Sequence, residues 1–167
     1  MEMVQHLLDV AGIDRERLRL QWVSSAEGPL FARYISEFSE KTKGLGPFDN
    51  KGLGLPLAAA KRTLEAPRIR WLIGMTVELT EAGNTYDETL SKEEYNKLLR
   101  QAVEDEFQKA IIIEALMDGP LSVQEMAKKI GMSVYSVSLR LNELERSGQA
   151  GLSGYDGRTP KFISLAA

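Results

Sequence analysis

Between residues 107 and 167 three apolar periodicities are interrupted at fixed places by turn chemistry, and few folds accommodate that order. An apolar helical run over 107–117 stops at Asp118-Gly119-Pro120. A short helix opens at Ser122, where Ser122-Val123-Gln124-Glu125 has the S-x-x-E form in which hydroxyl and carboxylate each accept a backbone N–H of the other residue. Val123, Met126, Ala127 and Ile130 make its core stripe. Gly131-Met132 supplies a turn, and a longer helix opens at Ser133 with Val134, Val137, Leu141 and Leu144 spaced to face inward. After Gly148 come a short strand, a Gly154-Tyr155-Asp156-Gly157-Arg158 tip and a closing strand. Helix, turn, helix and strand pair in that order predict a winged helix-turn-helix over 106–167. The run S-x-x-x-V-S-x-x-L-x-x-L-E-x-x-G, from Ser133 to Gly148, resembles the second helix and its end in winged-helix regulators.

At about 100° per residue the second long helix turns Tyr135, Leu139, Asn142 and Arg146 outward. Asn pairs with adenine, Arg with guanine or phosphate, and Leu touches a thymine methyl. Tyr135, Ser136 and Ser138 suit phosphate contacts, and the wing offers Arg158 with Lys161 behind it. The same surface has a second reading. Tyr135 and Leu139 exposed together make an apolar patch for a protein partner. Charge does not choose between them: residues 118–167 carry six basic and five acidic side chains, and the remainder 15 basic and 19 acidic. A dedicated DNA-binding domain usually carries a stronger basic footprint, and an acidic first half repels phosphate.

Composition excludes several chemistries. The 167 residues hold no cysteine and one histidine, His6. Disulfides, thiolate nucleophiles, zinc fingers, cysteine-ligated iron–sulfur clusters and Ser-His-Asp triads all lack their residues. No catalytic residue, cofactor or metal is assigned, and an enzyme is the weakest of the function classes. No apolar run reaches the roughly 18 residues of a membrane helix. The start lacks the basic and apolar regions of a secretory signal, so a cytoplasmic protein without membrane contact is expected.

The first half reads as a strand–helix fragment over 1–46 and a helical linker region over 47–105. Val4, Leu7, Leu8 and Ala11 form a helical stripe that leaves His6 to solvent. Leu18-Arg19-Leu20-Gln21-Trp22-Val23 alternates like a strand. Ser24-Ser25-Ala26-Glu27 is a capping box for a helix over about 27–43 that buries Phe31, Ile35 and Phe38. A single strand cannot pair with itself, so its partner must be a second copy, another protein or the wing. The glycine- and proline-rich stretch 44–56 is a hinge without the G-K-[ST] ending of a phosphate loop. Pro56 opens a helix to Glu65. Another, about 68–81, carries Ile69, Leu72, Ile73, Thr76 and Val77 on one face, and Asn84 to Asp87 form a turn. Arg62, Arg68 and Arg70 make either a solvated basic face or a contact for an acidic partner. Ser91-Lys92-Glu93-Glu94 caps a helix that can run on into the winged domain.

One resemblance adds to this. Ala11 to Leu18, Trp22-Val23-Ser24-Ser25-Ala26-Glu27-Gly28, Phe31-Ala32, Glu37-Phe38, Arg70 to Gly74 and Glu81 to Tyr86 carry it. On these residues, positions 7–106 resemble the C-terminal region of the delta subunit of methyl-viologen-reducing hydrogenase, a family also found fused to heterodisulfide reductase. The resemblance implies an electron-transfer context in which cysteines upstream of the matched region hold a cluster. Those cysteines have no counterpart here, so what carries over is a fold fragment and a docking role. The fold class expected is mostly α with minor β: a small α/β fragment and helices, then the winged domain. The function expected is a non-catalytic docking module of a hydrogenase or heterodisulfide reductase complex. The alternative is a regulator that binds duplex DNA. A homodimer is expected in either case.

Overall fold

The computed structural model describes residues 1–49, 51–83 and 88–166. The turn expected over Asn84–Asp87 lies outside the described residues. The chain is organised on one long helix. Helix α1 (Glu2–Val10) leads through a 3-10 turn (Arg15–Arg17) to α2 (Gly28–Gly44), α3 (Gly54–Glu65) and α4 (Pro67–Gly74). A π turn over Glu78–Ala82 precedes α5 (Lys92–Leu116), and α6 (Val123–Ile130), α7 (Val134–Arg146), β1 (Ala150–Asp156) and β2 (Thr159–Ser164) complete it. Mostly α with a two-stranded antiparallel sheet is the architecture expected. Among the described residues no helix is long and apolar enough to cross a membrane.

Helix α5 passes through 105–106 without interruption because nothing in Glu104-Asp105-Glu106 stops it. Its start is the capping box of Ser91: the Ser91 Oγ accepts from the Glu94 N–H at 3.2 Å, and the Glu94 carboxylate accepts from the Ser91 N–H at 3.0 Å. Its 25 residues then feed two clusters. Tyr95, Leu99, Ala102, Val103, Phe107, Ala110 and Ile111 pack with Leu7, Ala11 and Ile13 near α1 and with Ala59, Ala60, Ile69 and Leu72 from α3 and α4. Ile112, Ile113 and Leu116 pack with Met126, Val137, Leu141, Leu144 and Ala150. One element therefore nucleates both cores, and burying so many apolar side chains is what holds a helix of this length in place.

In the C-terminal part Gly131 ends α6 in the left-handed region at φ 69°, where a side chain would be strained. The strands pair from Ala150↔Ser164 to Asp156↔Thr159 with an irregularity at Ser153. Leu121 adds one bridge to Phe162, their N–H groups donating to each other's carbonyl at 3.0 and 2.9 Å. That bridge fastens the wing to the segment before α6.

Several expectations for the first half fail. Leu18–Val23 is not a strand: Leu18 is extended, yet among the described residues none of the backbone groups of 19–23 finds a backbone partner. The wing is excluded as its partner, since β1 and β2 pair only with each other and with Leu121 among the described residues. Helix α2 forms where expected but buries nothing. Phe31 and Ile35 are exposed and Phe38 is half-buried. The amphipathic pattern is real, but among the described residues its apolar face is covered only in part, at Phe38, which shares a depression with Met1, Leu18 and Leu20. Of the stripe expected on α4, Ile69 and Leu72 are buried, while Ile73, inside α4, and Val77, in the turn beyond it, face solvent. His6 is half-buried rather than fully in solvent; its Nε2 lies 3.1 Å from the Glu104 carboxylate on α5.

Candidate functional site

Two surfaces gather exposed large apolar side chains, one at each end of the chain. The C-terminal one is α7 with its wing. Ser133 caps α7, its Oγ accepting from the Ser136 N–H at 3.0 Å, and the two hydroxyls lie 2.8 Å apart. Val137, Leu141 and Leu144 anchor the inner face. Val134 does not join them: it is exposed, one turn too early to reach the core. Tyr135, at 77% exposure, Ser138, Leu139, Asn142 and Arg146 all face solvent, so one face of the helix gathers them. Ser136 is half-buried and engaged with Ser133.

The wing places Arg158 at its exposed tip and holds Lys161 back. The Lys161 ammonium donates to both oxygens of Glu125 at 2.6 Å. That contact, followed by the Ser122 backbone N–H at 2.7 Å, lowers the Glu125 carboxyl to about 2. Lys161 thus spends its charge on α6. Arg140 spends its own on Asp105, on Gln108 at 2.9 Å and on Glu143 at 2.9 Å. The cations left without an ion-pair partner around this face, among the described residues, are Lys128, Arg146 and Arg158. Lys128 escapes a sequence reading, since both Lys128 and Lys129 sit at the end of α6 and only the structure tells which is used. Lys129 is the paired one, on Asp118 at 2.7 Å.

The second surface lies in the first 46 residues. Trp22 is 84% exposed, Leu20 56%, Phe31 56% and Ile35 53%. The side of the 18–23 segment that carries Arg19 is tied to α2, its guanidinium 3.3 Å from Glu37 and 4.9 Å from the Tyr34 ring centroid. A shallow apolar depression of about 560 Å³, lined by Ile35, Phe38, Thr42 and Pro47, continues the α2 stripe. Pattern reading misses this surface because it assigns every amphipathic stripe to a core. The arginine cluster is resolved differently: Arg62 donates to Glu114 at 2.6 Å and Arg68 to Asp105 at 3.2 Å, both on α5, leaving Arg70 exposed. Among the described residues no three His, Asp or Glu side chains converge as a metal shell would require.

Two family models each match a part of the chain, the second ending before the wing. The family model of the methyl-viologen-reducing hydrogenase delta subunit matches residues 1–46, and that of winged helix-turn-helix DNA-binding domains matches residues 104–149. The resemblance expected over 7–106 as a C-terminal region is corrected: the match is the N-terminal segment of this chain, and the Arg70–Gly74 stretch lies outside it. The chain is 43% identical over 47 residues to the iron-sulfur subunit of the F420-non-reducing hydrogenase of Archaeoglobus profundus, 28% of this chain and 34% of that protein. It is 33% identical over 51 residues to one polypeptide of the ferredoxin:CoB-CoM heterodisulfide reductase of Methanosarcina mazei. It is equally similar to the corresponding polypeptide of the ferredoxin/F420H2-dependent heterodisulfide reductase of Methanosarcina acetivorans. These two matches cover 30% of this chain and 6% of each relative. The chain thus spans about a third of the first relative and a small part of the others. No solved structure matches.

Proposed function

We propose that this protein is a non-catalytic accessory module that docks onto a hydrogenase or heterodisulfide reductase complex through its first 46 residues. The observation that carries the reading is α2: an amphipathic helix of 17 residues with no buried residue, inside the segment similar to components of such complexes. A helix of that length with no packed face is marginal in water, so the fold leaves it waiting for a partner. These 167 residues hold no cysteine, so a thiolate-held cluster has no ligand here and the role is binding rather than electron transfer. The winged domain, locked to the docking half through α5, would report or regulate the docked state. The test is binding of the purified full chain to the purified hydrogenase–heterodisulfide reductase complex of its source cell. Co-elution supports the reading, and no association at micromolar concentration removes it.

A second reading is a duplex-DNA-binding regulator. Lys128, Arg146 and Arg158, exposed and unspent among the described residues, favour it, together with Asn142 on the same helix as Arg146. Three such cations imply a shallow salt dependence, a log–log slope of about −3 at most. Tyr135, Val134 and Leu139 beside them favour a protein partner instead. A homodimer and a cytoplasmic location remain part of the proposal.

A further inference from the structure

Three side chains from one short run, Glu16 to Arg19, hold α2 to the body of the protein, and they do so unequally. Glu16 pairs with the Lys41 ammonium at 2.6 Å, and Arg19 with Glu37 at 3.3 Å. Both pairs are exposed to water, where such contacts contribute little. Arg17 is half-buried and bound more fully. Its Nη2 donates to the Leu45 carbonyl at 2.9 Å, and Nη1 and Nη2 each donate to the Gly46 carbonyl at 3.1 Å. Those are the first two residues past the end of α2, and Gly46, at φ 70°, turns the chain away from the helix. The fork of a guanidinium suits two neighbouring carbonyls, and its positive charge suits the negative end of the helix dipole.

Arg17 is itself fastened to the first core from two sides. Just before it in the chain, Ile13 is buried in that core. The Arg17 guanidinium also lies 5.7 Å from the centroid of the Phe48 ring, and Phe48 packs against the same core. The helix has no comparable anchor of its own. Leu30, Tyr34, Phe38 and Thr42, four apart along one side of it, are half-buried, and no residue of α2 is buried. A helix of 17 residues without a packed face is marginal in water, so its placement depends on what grips its end. We propose that Arg17 is the positioning residue of the docking surface: it fixes the C-terminal end of α2 to the first core, and so sets how Phe31 and Ile35 are presented. Without that grip α2 frays from its C-terminal end while both cores stay folded.

This inference rests on the docking reading and adds the residue that orients its surface. The experiment compares the full chain with Arg17→Met, which removes the donors, and with Arg17→Lys, which keeps the charge. Amide hydrogen exchange is followed on each chain alone, and association with the purified hydrogenase–heterodisulfide reductase complex is then measured. In Arg17→Met the amides of 32–44 exchange about tenfold or more faster, those of α5 keep their rates, and association weakens by about tenfold or more. Arg17→Lys, a cation without the fork, recovers part of both losses. Unchanged exchange over 32–44 in Arg17→Met overturns the anchor, whatever happens to binding. Loss of α5 protection along with that of α2 overturns it too, by making Arg17 a support of the core. Faster exchange over 32–44 with undiminished association overturns the positioning role and leaves docking standing. A wild-type chain that does not associate overturns the docking reading, and the positioning role with it, whatever exchange shows.

Discussion

The Arg140 guanidinium on α7 donates to the Asp105 carboxylate on α5, with both side chains largely buried. Asp105 also receives Arg68 from the start of α4, and Arg68 lies 3.6 Å from Glu106. One carboxylate therefore joins the outward-facing helix of the winged domain to the helices of the first half. Asp105→Ala leaves two cations short of a partner and is expected to cost about 1.5–3 kcal/mol. The urea midpoint falls at unchanged slope. An unchanged midpoint would show that the network is screened away.

A single helix feeding two cores predicts one unfolding transition. Trp71 fluorescence, which reports the first half, and far-ultraviolet dichroism, to which the helices of both parts contribute, should fall together in urea. Two separated transitions would mean that α5 breaks between Ile111 and Ile112.

The exposed α2 face makes a contrast with the core. Ile69→Ala, deleting a side chain with no solvent exposure, is expected to cost about 2–5 kcal/mol. Phe31→Ser and Ile35→Ser, of comparable apolar loss, should change stability by no more than about 0.5 kcal/mol. A large loss from either would place α2 against the rest of the chain.

Glu125 sets an acid limit. Its folded value of about 2 lies below the ordinary carboxylate value, so the contact with Lys161 and Ser122 stabilises fully above that ordinary value. The stabilisation disappears as pH falls through the ordinary value toward about 2. Lys161→Ala should move the Glu125 midpoint up in an NMR titration, and Glu125→Gln should flatten the acid-side loss of stability. A Glu125 midpoint at the ordinary carboxylate value contradicts the contact.

The winged domain is legible in the sequence because its signals are local. Ser122 with Glu125 and Gly131 with Ser133 each fix a helix end through neighbours a few residues away, and Val137, Leu141 and Leu144 fall on the core by periodicity alone. The same logic places Ser91 at the head of α5 and allows it to run on. It misleads over Phe31, Ile35 and the 18–23 segment, because alternation and amphipathicity state that a face needs cover without stating who provides it. Which cations remain free is also beyond the sequence. Lys161 and Glu125 are 36 positions apart, and only the fold brings them together.

Binding compared side by side at low salt tests the central claim most directly: full chain against the purified hydrogenase–heterodisulfide reductase complex, and against random duplex DNA. The account predicts association with the complex that Phe31→Ser/Ile35→Ser abolishes and Arg146→Ala leaves intact. Micromolar binding to DNA that weakens as salt rises, with no association to the complex, would contradict it.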